Sequence, residues 1–124
     1  MHECVRRLVV DGAALAVHDC AEGGVAVAVA EMAVAGQCGA SITPPAELPV
    51  AAWCFSESAS RVVVTVAADA VHGLLARAVS DGVPAVELGR SGGRRLRVDG
   101  ALDVDLADAT RAFRGGLPAT FEQP

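Results

Sequence analysis

The stretch Val17-His18-Asp19-Cys20-Ala21-Glu22-Gly23-Gly24 runs without a break into Val25-Ala26-Val27-Ala28-Val29-Ala30-Glu31-Met32-Ala33. A short apolar run, a polar turn ending in two glycines and a longer Ala/Val run read as a strand end, a tight turn and a helix start. Glycine carries no Cβ and tolerates positive φ, so the backbone here can approach a ligand closely. A helix that begins at this point offers unpaired N–H groups and a partial positive charge, which suit an anion such as a phosphate. The same spacing equally suits a plain turn that starts a buried helix.

A chain of 124 residues fits one domain, and at that size folding buries roughly two-thirds of the unfolded surface. A core is therefore available without disulfides or metals. With 52% hydrophobic residues but only three Phe, one Trp and no Tyr, that core is built from Ala, Val and Leu.

The net charge is −5 and all ten basic residues are Arg, whereas a nucleic-acid footprint needs a basic stripe. Arg94, Arg95 and Arg97 do cluster. Strand alternation puts Arg95 and Arg97 on one face and Leu96 and Val98 on the other, the pattern of a solvated strand. Cys4, Cys20, Cys38 and Cys54 lie 16, 18 and 16 apart, without the close pairs a zinc site uses. The longest apolar stretch, Val25 to Ala30, is far shorter than the ~18 residues of a membrane span, and there is no signal-peptide core. These features predict a cytoplasmic chain with reduced thiols as small core residues, and no nucleic-acid, membrane or metal partner.

In chain order, His2 to Asp11 places Cys4, Val5, Leu8 and Val9 at helical spacing, stopped by Asp11-Gly12. Ala14 to Val17 reads as a short buried strand that delivers His18 and Asp19 to its carboxyl end, where ligands sit in open α/β sheets. Gly24 to Ala35 is a helix apolar almost all round, with Glu31 its one charge, so it should be covered on more than one side. Cys38 to Ile42 is a strand, and the prolines of residues 43–49 make a loop. Val50 to Phe55 reads as a strand rising into Ser56-Glu57-Ser58-Ala59-Ser60-Arg61. Val62 to Val66 is β-branched and predicts a central strand buried on both faces. Asp69 caps a helix in which Val71, Leu74, Leu75 and Ala78 share a face and which ends at Asp81-Gly82.

Pro84 to Leu88 is a further strand and Gly89 to Gly93 a loose turn. Arg94 to Val98 and Ala101 to Val104 form a hairpin across Asp99-Gly100. Asp105 or Asp108 opens a last helix through Phe113, closed by Gly115-Gly116-Leu117-Pro118. The order predicts an α/β (α+β) domain: a single mixed β-sheet packed with helices.

Two polar clusters interrupt this aliphatic chain: His18-Asp19-x-x-Glu22-Gly23-Gly24 and Ser56-Glu57-Ser58-x-Ser60-Arg61. Both sit at strand ends and combine hydroxyls, carboxylates and glycine, which suits a hydroxyl-rich phosphorylated ligand. Each residue also has a plain structural reading. His18 can bond backbone, Asp19 can cap the turn, Glu22 can complement the helix amino end, and Glu57 can pair with Arg61. His2 and His72 read as terminal and helix-surface residues. Gly89-Arg90-Ser91-Gly92-Gly93 lacks the lysine and spacing of a P-loop.

At these clusters the chain resembles the carboxyl-terminal domain of the aminoimidazole ribonucleotide synthetase superfamily, and within it the phosphoribosylformylglycinamidine synthases. His18-Asp19-Cys20-Ala21-Glu22-Gly23-Gly24-Val25-Ala26-Val27-Ala28 is similar to that family's H-D-x-S-[DE]-G-G-L-A-x-A-L, and Phe55-Ser56-Glu57-Ser58-Ala59-Ser60-Arg61 to its F-[GS]-E-S-x-x-R. Arg111-x-Phe113-x-x-x-Leu117-Pro118 resembles the carboxyl terminus of those synthases. Ala21 departs from the usual serine and Ala59 from a frequent glutamine, the first removing a hydroxyl donor.

The resemblance implies a ligase of purine biosynthesis, an amidotransferase-coupled synthase that uses ATP and magnesium to convert formylglycinamide ribonucleotide to its amidine with glutamine-derived ammonia. It implies His18, Asp19, Gly23, Gly24, Ser56, Glu57 and Ser58 as contacts to the phosphoribosyl substrate or nucleotide, with no catalytic residue or metal ligand among them. The family's metal ligands belong to amino-terminal-type domains, so residues 1–124 read as one domain of a much longer synthase. Its partners would be those domains and the glutaminase that supplies ammonia. Alone, the domain is expected to be inert, without bound ATP or Mg2+, and to pair as a homodimer through an exposed Ala/Val face. The competing readings are another enzyme of the superfamily (thiamine monophosphate kinase, selenophosphate synthetase or hydrogenase maturation dehydratase) and a non-catalytic interaction or oligomerisation module.

Overall fold

The computed structural model describes residues 1–121. The chain runs α1 (His2–Val10), β1 (Ala14–Asp19), α2 (Gly24–Gly36), β2 (Ala40–Ile42), α3 (Val50–Phe55), β3 (Val62–Val66), α4 (Val71–Ser80), β4 (Gly89–Ser91), β5 (Arg95–Val98), β6 (Leu102–Asp105) and α5 (Leu106–Phe121). The class is α+β, as the element order predicts.

The strands form two sheets, which corrects the expected single one: β1 pairs antiparallel with β3, and a mixed sheet runs in the order β4-β2-β5-β6. In the second sheet β2 and β5 are parallel and the other pairs antiparallel. The central, doubly buried strand expected at Val62–Val66 is instead half-buried along its whole length. Among the described residues its second edge meets no strand, and a β-branched run specifies a strand without specifying its neighbours.

Helix α2 is the centre of the core. It packs on α3, α5, β1, β3 and β5, and buries Val25, Ala26, Ala28, Val29, Ala33 and Val34. Small side chains on every side let it be covered from several directions, as its uniform apolarity requires. Around it gather Cys20, Ile42, Trp53, Cys54, Leu96, Val98 and Leu106.

The segment expected as a strand at Val50–Phe55 is helix α3. Val50, Trp53 and Cys54 fall at i, i+3 and i+4, a helical face, and Pro49 with φ −54° stands at its start. The Trp53 amide donates to the Pro49 carbonyl and the Ser56 amide to the Ala52 carbonyl, both at 3.0 Å.

Four smaller expectations also change. β1, read as a short buried strand, has Leu15, Ala16 and Val17 exposed. Pro84 to Leu88 is not a strand; β2 pairs instead with Gly89–Ser91, within the segment read as a loose turn. A Cβ on Gly89 would strike the Ser41 carbonyl oxygen, so only glycine lets the two backbones meet there. The hairpin loop holds three residues, because Val98 pairs with Leu102 and Gly100 adopts φ +77°, a common three-residue geometry. Asp69 makes no capping bond and lies in a 3-10 turn, Ala68–Ala70, ahead of α4.

Helix α5 continues past Gly115 and Gly116 to Phe121. Asp105 opens it, accepting the Ala107 amide at 2.8 Å. The Arg pattern on β5 is as read: Leu96 and Val98 are buried while Arg95 and Arg97 face out. Arg95 pairs with Asp103 at 2.7 Å and Arg97 with Asp99 at 2.9 Å.

Candidate functional site

The two polar clusters, 34 residues apart in sequence, meet: the Gly23 amide donates to Glu57 Oε1 at 2.9 Å. Gly23 and Gly24 make this contact sterically feasible. Their φ values are +80° and +78°, the left-handed region that glycine enters without penalty. A Cβ on Gly24 would collide with the Cys54 carbonyl oxygen and come within 2.8 Å of Phe55 Cα. Thus the amino end of α2 lies directly against the carboxyl end of α3, from which the Ser56-Glu57-Ser58 loop departs. Gly23 supplies no side-chain cap to α2, so the helix's first amides point at this junction.

Arg61 holds the second loop. Its Nη1 donates to Ser56 Oγ at 2.8 Å and to the Ser56 carbonyl at 3.1 Å, and its Nη2 to the Trp53 carbonyl at 3.3 Å. Its guanidinium carbon sits 5.7 Å from the Trp53 ring centroid, within cation–π range. The Arg61 carbonyl in turn accepts the Cys20 amide at 3.1 Å. Glu57 therefore takes Gly23 and Arg61 takes Ser56; the Glu57–Arg61 pair that the sequence permits does not form.

His18 turns elsewhere. Its Nδ1 donates to the Asp19 carbonyl at 2.6 Å and its Nε2 lies 2.9 Å from Glu31 Oε2. Glu31 sits seven residues beyond Gly24, roughly two turns along α2. A groove of about 480 Å3 borders the pair, lined by Val17, His18, Glu31, Met32, Phe113 and Arg114 among others.

Beneath the junction Cys20 and Cys54 are fully buried. Burial pushes both thiols up, and the nearby Arg61 charge works against that in each. All four cysteines are free, but only these two are the core residues expected; Cys4 is half-buried and Cys38 exposed.

Of the residues the sequence singled out, Gly23 meets Glu57 and Gly24 packs on the Cys54 and Phe55 backbone that leads into Ser56; Asp19 ends β1 just before Cys20, its side chain exposed and 3.7 Å from His18 Nδ1. Ser58 follows Glu57 on the same exposed loop, and Glu22 precedes Gly23; neither side chain hydrogen-bonds another described residue. His18 is drawn toward Glu31. From sequence, Arg61 reads only as a partner for Glu57, and Trp53 and Glu31 carry no site role. Arg61 closes the Phe-Ser-Glu-Ser motif, and Glu31 is the one charge on an apolar helix, which demands a partner. Of the closing motif, Arg111 pairs with Asp108 on α5, while the side chains of Leu117 and Pro118 lie outside those described. Among the described residues no three of His, Cys, Asp or Glu could hold a metal ion, and no helix is long and apolar enough to cross a membrane.

The AIR synthase related protein, C-terminal domain family matches residues 1–100. The phosphoribosylformylglycinamidine synthase subunit PurL of Parvibaculum lavamentivorans is 43% identical over 115 residues, covering 93% of this chain and 16% of that protein. Its counterpart in Methylocella silvestris is 41% identical over 114 residues, covering 92% and 16%. The chain thus spans 16% of the length of these curated relatives. In solved structures, T. maritima PurL complexed with ATP superposes with a TM-score of 0.76 at 19% identity, over 87% of this chain and 20% of that one; this likeness is one of fold. With both motifs, their meeting point and the fold in agreement, the chain belongs to the AIR synthase related protein, C-terminal domain family.

Proposed function

We propose that residues 1–124 act as one carboxyl-type domain of a longer phosphoribosylformylglycinamidine synthase, an ATP-dependent C–N ligase of purine biosynthesis in the cytoplasm. In this role the domain contributes the Gly23-Gly24 turn and the Ser56-Glu57-Ser58 loop to a cleft for the phosphoribosyl substrate or nucleotide. The observation that carries the reading is the Gly23–Glu57 contact, which joins the two motifs into one surface. The identity of 43% to a synthase subunit over most of the chain supports it.

The chemistry of the junction supports this reading. Asp19, Glu22 and Glu57 are acceptors and suit sugar hydroxyls, while the first amides of α2 suit a phosphate. Ser56 and Ser58 add hydroxyls, and His18 holds the end of β1 beside them. Among the described residues Arg61 is the one cation there, and it is engaged by Ser56 and Trp53, so amides alone would meet a phosphate. Among the described residues the donor set does not fit magnesium. The ammonia-supplying glutaminase and the amino-terminal-type domains are the partners this reading requires. Leu15 and Val10, each 69% exposed, belong to the apolar surface such a domain would cover, or a second copy in the isolated chain.

The test is calorimetric titration of the chain with formylglycinamide ribonucleotide and, separately, with ATP and magnesium. Binding of the ribonucleotide that vanishes in Asp19→Ala and Glu57→Ala supports the cleft. Binding that survives both substitutions, or is absent when the domain is placed within an intact synthase, would sink it.

A further inference from the structure

We propose that Arg61 is the positioning residue of this site: by fixing the Ser56-Glu57-Ser58 loop, it presents Glu57 to the Gly23 amide and so keeps the two motifs joined before any ligand arrives. Its relevance to ligand binding rests on the function proposed above, but the positioning itself does not.

Both ends of Arg61 are engaged. The guanidinium engages three acceptors within one turn of chain, the Trp53 carbonyl and both the carbonyl and hydroxyl of Ser56. Two of these are carbonyls at the carboxyl end of α3, where helical carbonyls lack partners and a cation is favoured. The backbone carbonyl of the same residue accepts the Cys20 amide. One residue thus grips the exit of α3, the start of the loop and the end of β1.

The intervening loop is otherwise weakly determined. Residues 57–60 are exposed, and Ser60 holds φ +66°, a left-handed conformation unfavourable for a residue with a Cβ. Such a conformation persists only where its surroundings impose it. Arg61, immediately after Ser60, supplies the constraint. The planar guanidinium fork makes these bonds with fixed geometry, which a lysine ammonium does not reproduce.

The test is amide hydrogen exchange on the ligand-free chain carrying Arg61→Gln. Gly23 should exchange at least about tenfold faster, as expected for loss of a charge-assisted hydrogen bond, to the rate seen in Glu57→Ala. Ile42 and Val98, in the four-stranded sheet, should keep their protection. Unchanged exchange at Gly23 overturns the proposal, and so does a parallel loss at all three amides, which would make Arg61 a general anchor. If Arg61→Gln does not fold, Ser56→Ala removes one of the three acceptor groups alone and should speed Gly23 selectively by a smaller factor; no effect there overturns the proposal equally. Because no ligand is present, failure of the titrations above leaves this result untouched.

Discussion

His18 Nε2 stands 2.9 Å from Glu31 Oε2, a contact that ties the end of β1 to the middle of α2. Both side chains are about one-third exposed, at 32% and 34%, so the contact is partly screened. Its contribution should be about 1 kcal/mol, between a surface ion pair and a buried charged hydrogen bond. His18→Ala and Glu31→Ala should each lower the urea midpoint, and the double variant should lose less than the sum. Additive losses would show that the two side chains do not interact in solution.

Gly24 separates close packing from simple flexibility. Its φ of +78° and the nearby backbone of Cys54 and Phe55 both exclude a side chain. Gly24→Ala should therefore destabilise by about 2–4 kcal/mol, combining backbone strain with forced overpacking. Gly36, the last residue of α2, has open space where a Cβ would go. Gly36→Ala should be neutral or stabilising by up to about 1 kcal/mol. Equal losses in thermal unfolding would contradict this account of the α2–α3 contact.

The same contrast explains what could be read from sequence. Helices α1 and α2, strand β1 and the alternation on β5 each announce themselves through local periodicity, and both polar motifs through composition. Partnership did not. Nothing in Val62–Val66 says that one edge pairs with β1 and the other with no described strand. Val50–Phe55 is apolar and short, so its helical spacing is visible only beside the chain it packs on. β4 arises where Gly89 admits the backbone of Ser41, a steric fact about two distant segments. In the site, the glycines and Glu57 were legible as candidates, whereas the bond between them spans 34 residues. His18 shows the same limit: a strand-end histidine beside an aspartate invites a ligand role, and the helix carboxylate that takes its ring lies 13 residues onward.

Acid should loosen α1 first. Arg6 and Arg7, in that order, hydrogen-bond Glu3 and hold its carboxyl down at about 2, against an ordinary value of 4.5. A lowered carboxyl stabilises the fold above its unfolded value and loses that contribution as pH falls through the folded one. The Arg-paired Glu3 should thus support α1 at neutral pH, with the support fading between about 4.5 and 2. Glu3 is exposed, so the effect is local fraying and not global unfolding. Amide shifts of α1 followed from pH 6 downward should show the transition, and Glu3→Gln should abolish it. A transition retained in Glu3→Gln would assign it to another group.

The cysteines should separate by reactivity. The thiolate is the nucleophile, so a buried thiol whose ionisation is raised reacts slowly on two counts. Burial raises Cys20 and Cys54, whereas Cys38 is exposed on the turn after α2. Under native conditions at pH 8 an alkylating reagent should modify Cys38 first, with Cys20 and Cys54 on the order of a hundredfold slower and limited by opening of the core. Since the two raised thiols favour the neutral form in the folded chain, they leave stability unchanged below their ordinary value of 9.0. Above it the unfolded chain ionises first and stability falls. Mass mapping of the modified peptides checks the order, and early modification of Cys54 would mean that the α2–α3 contact is open in solution.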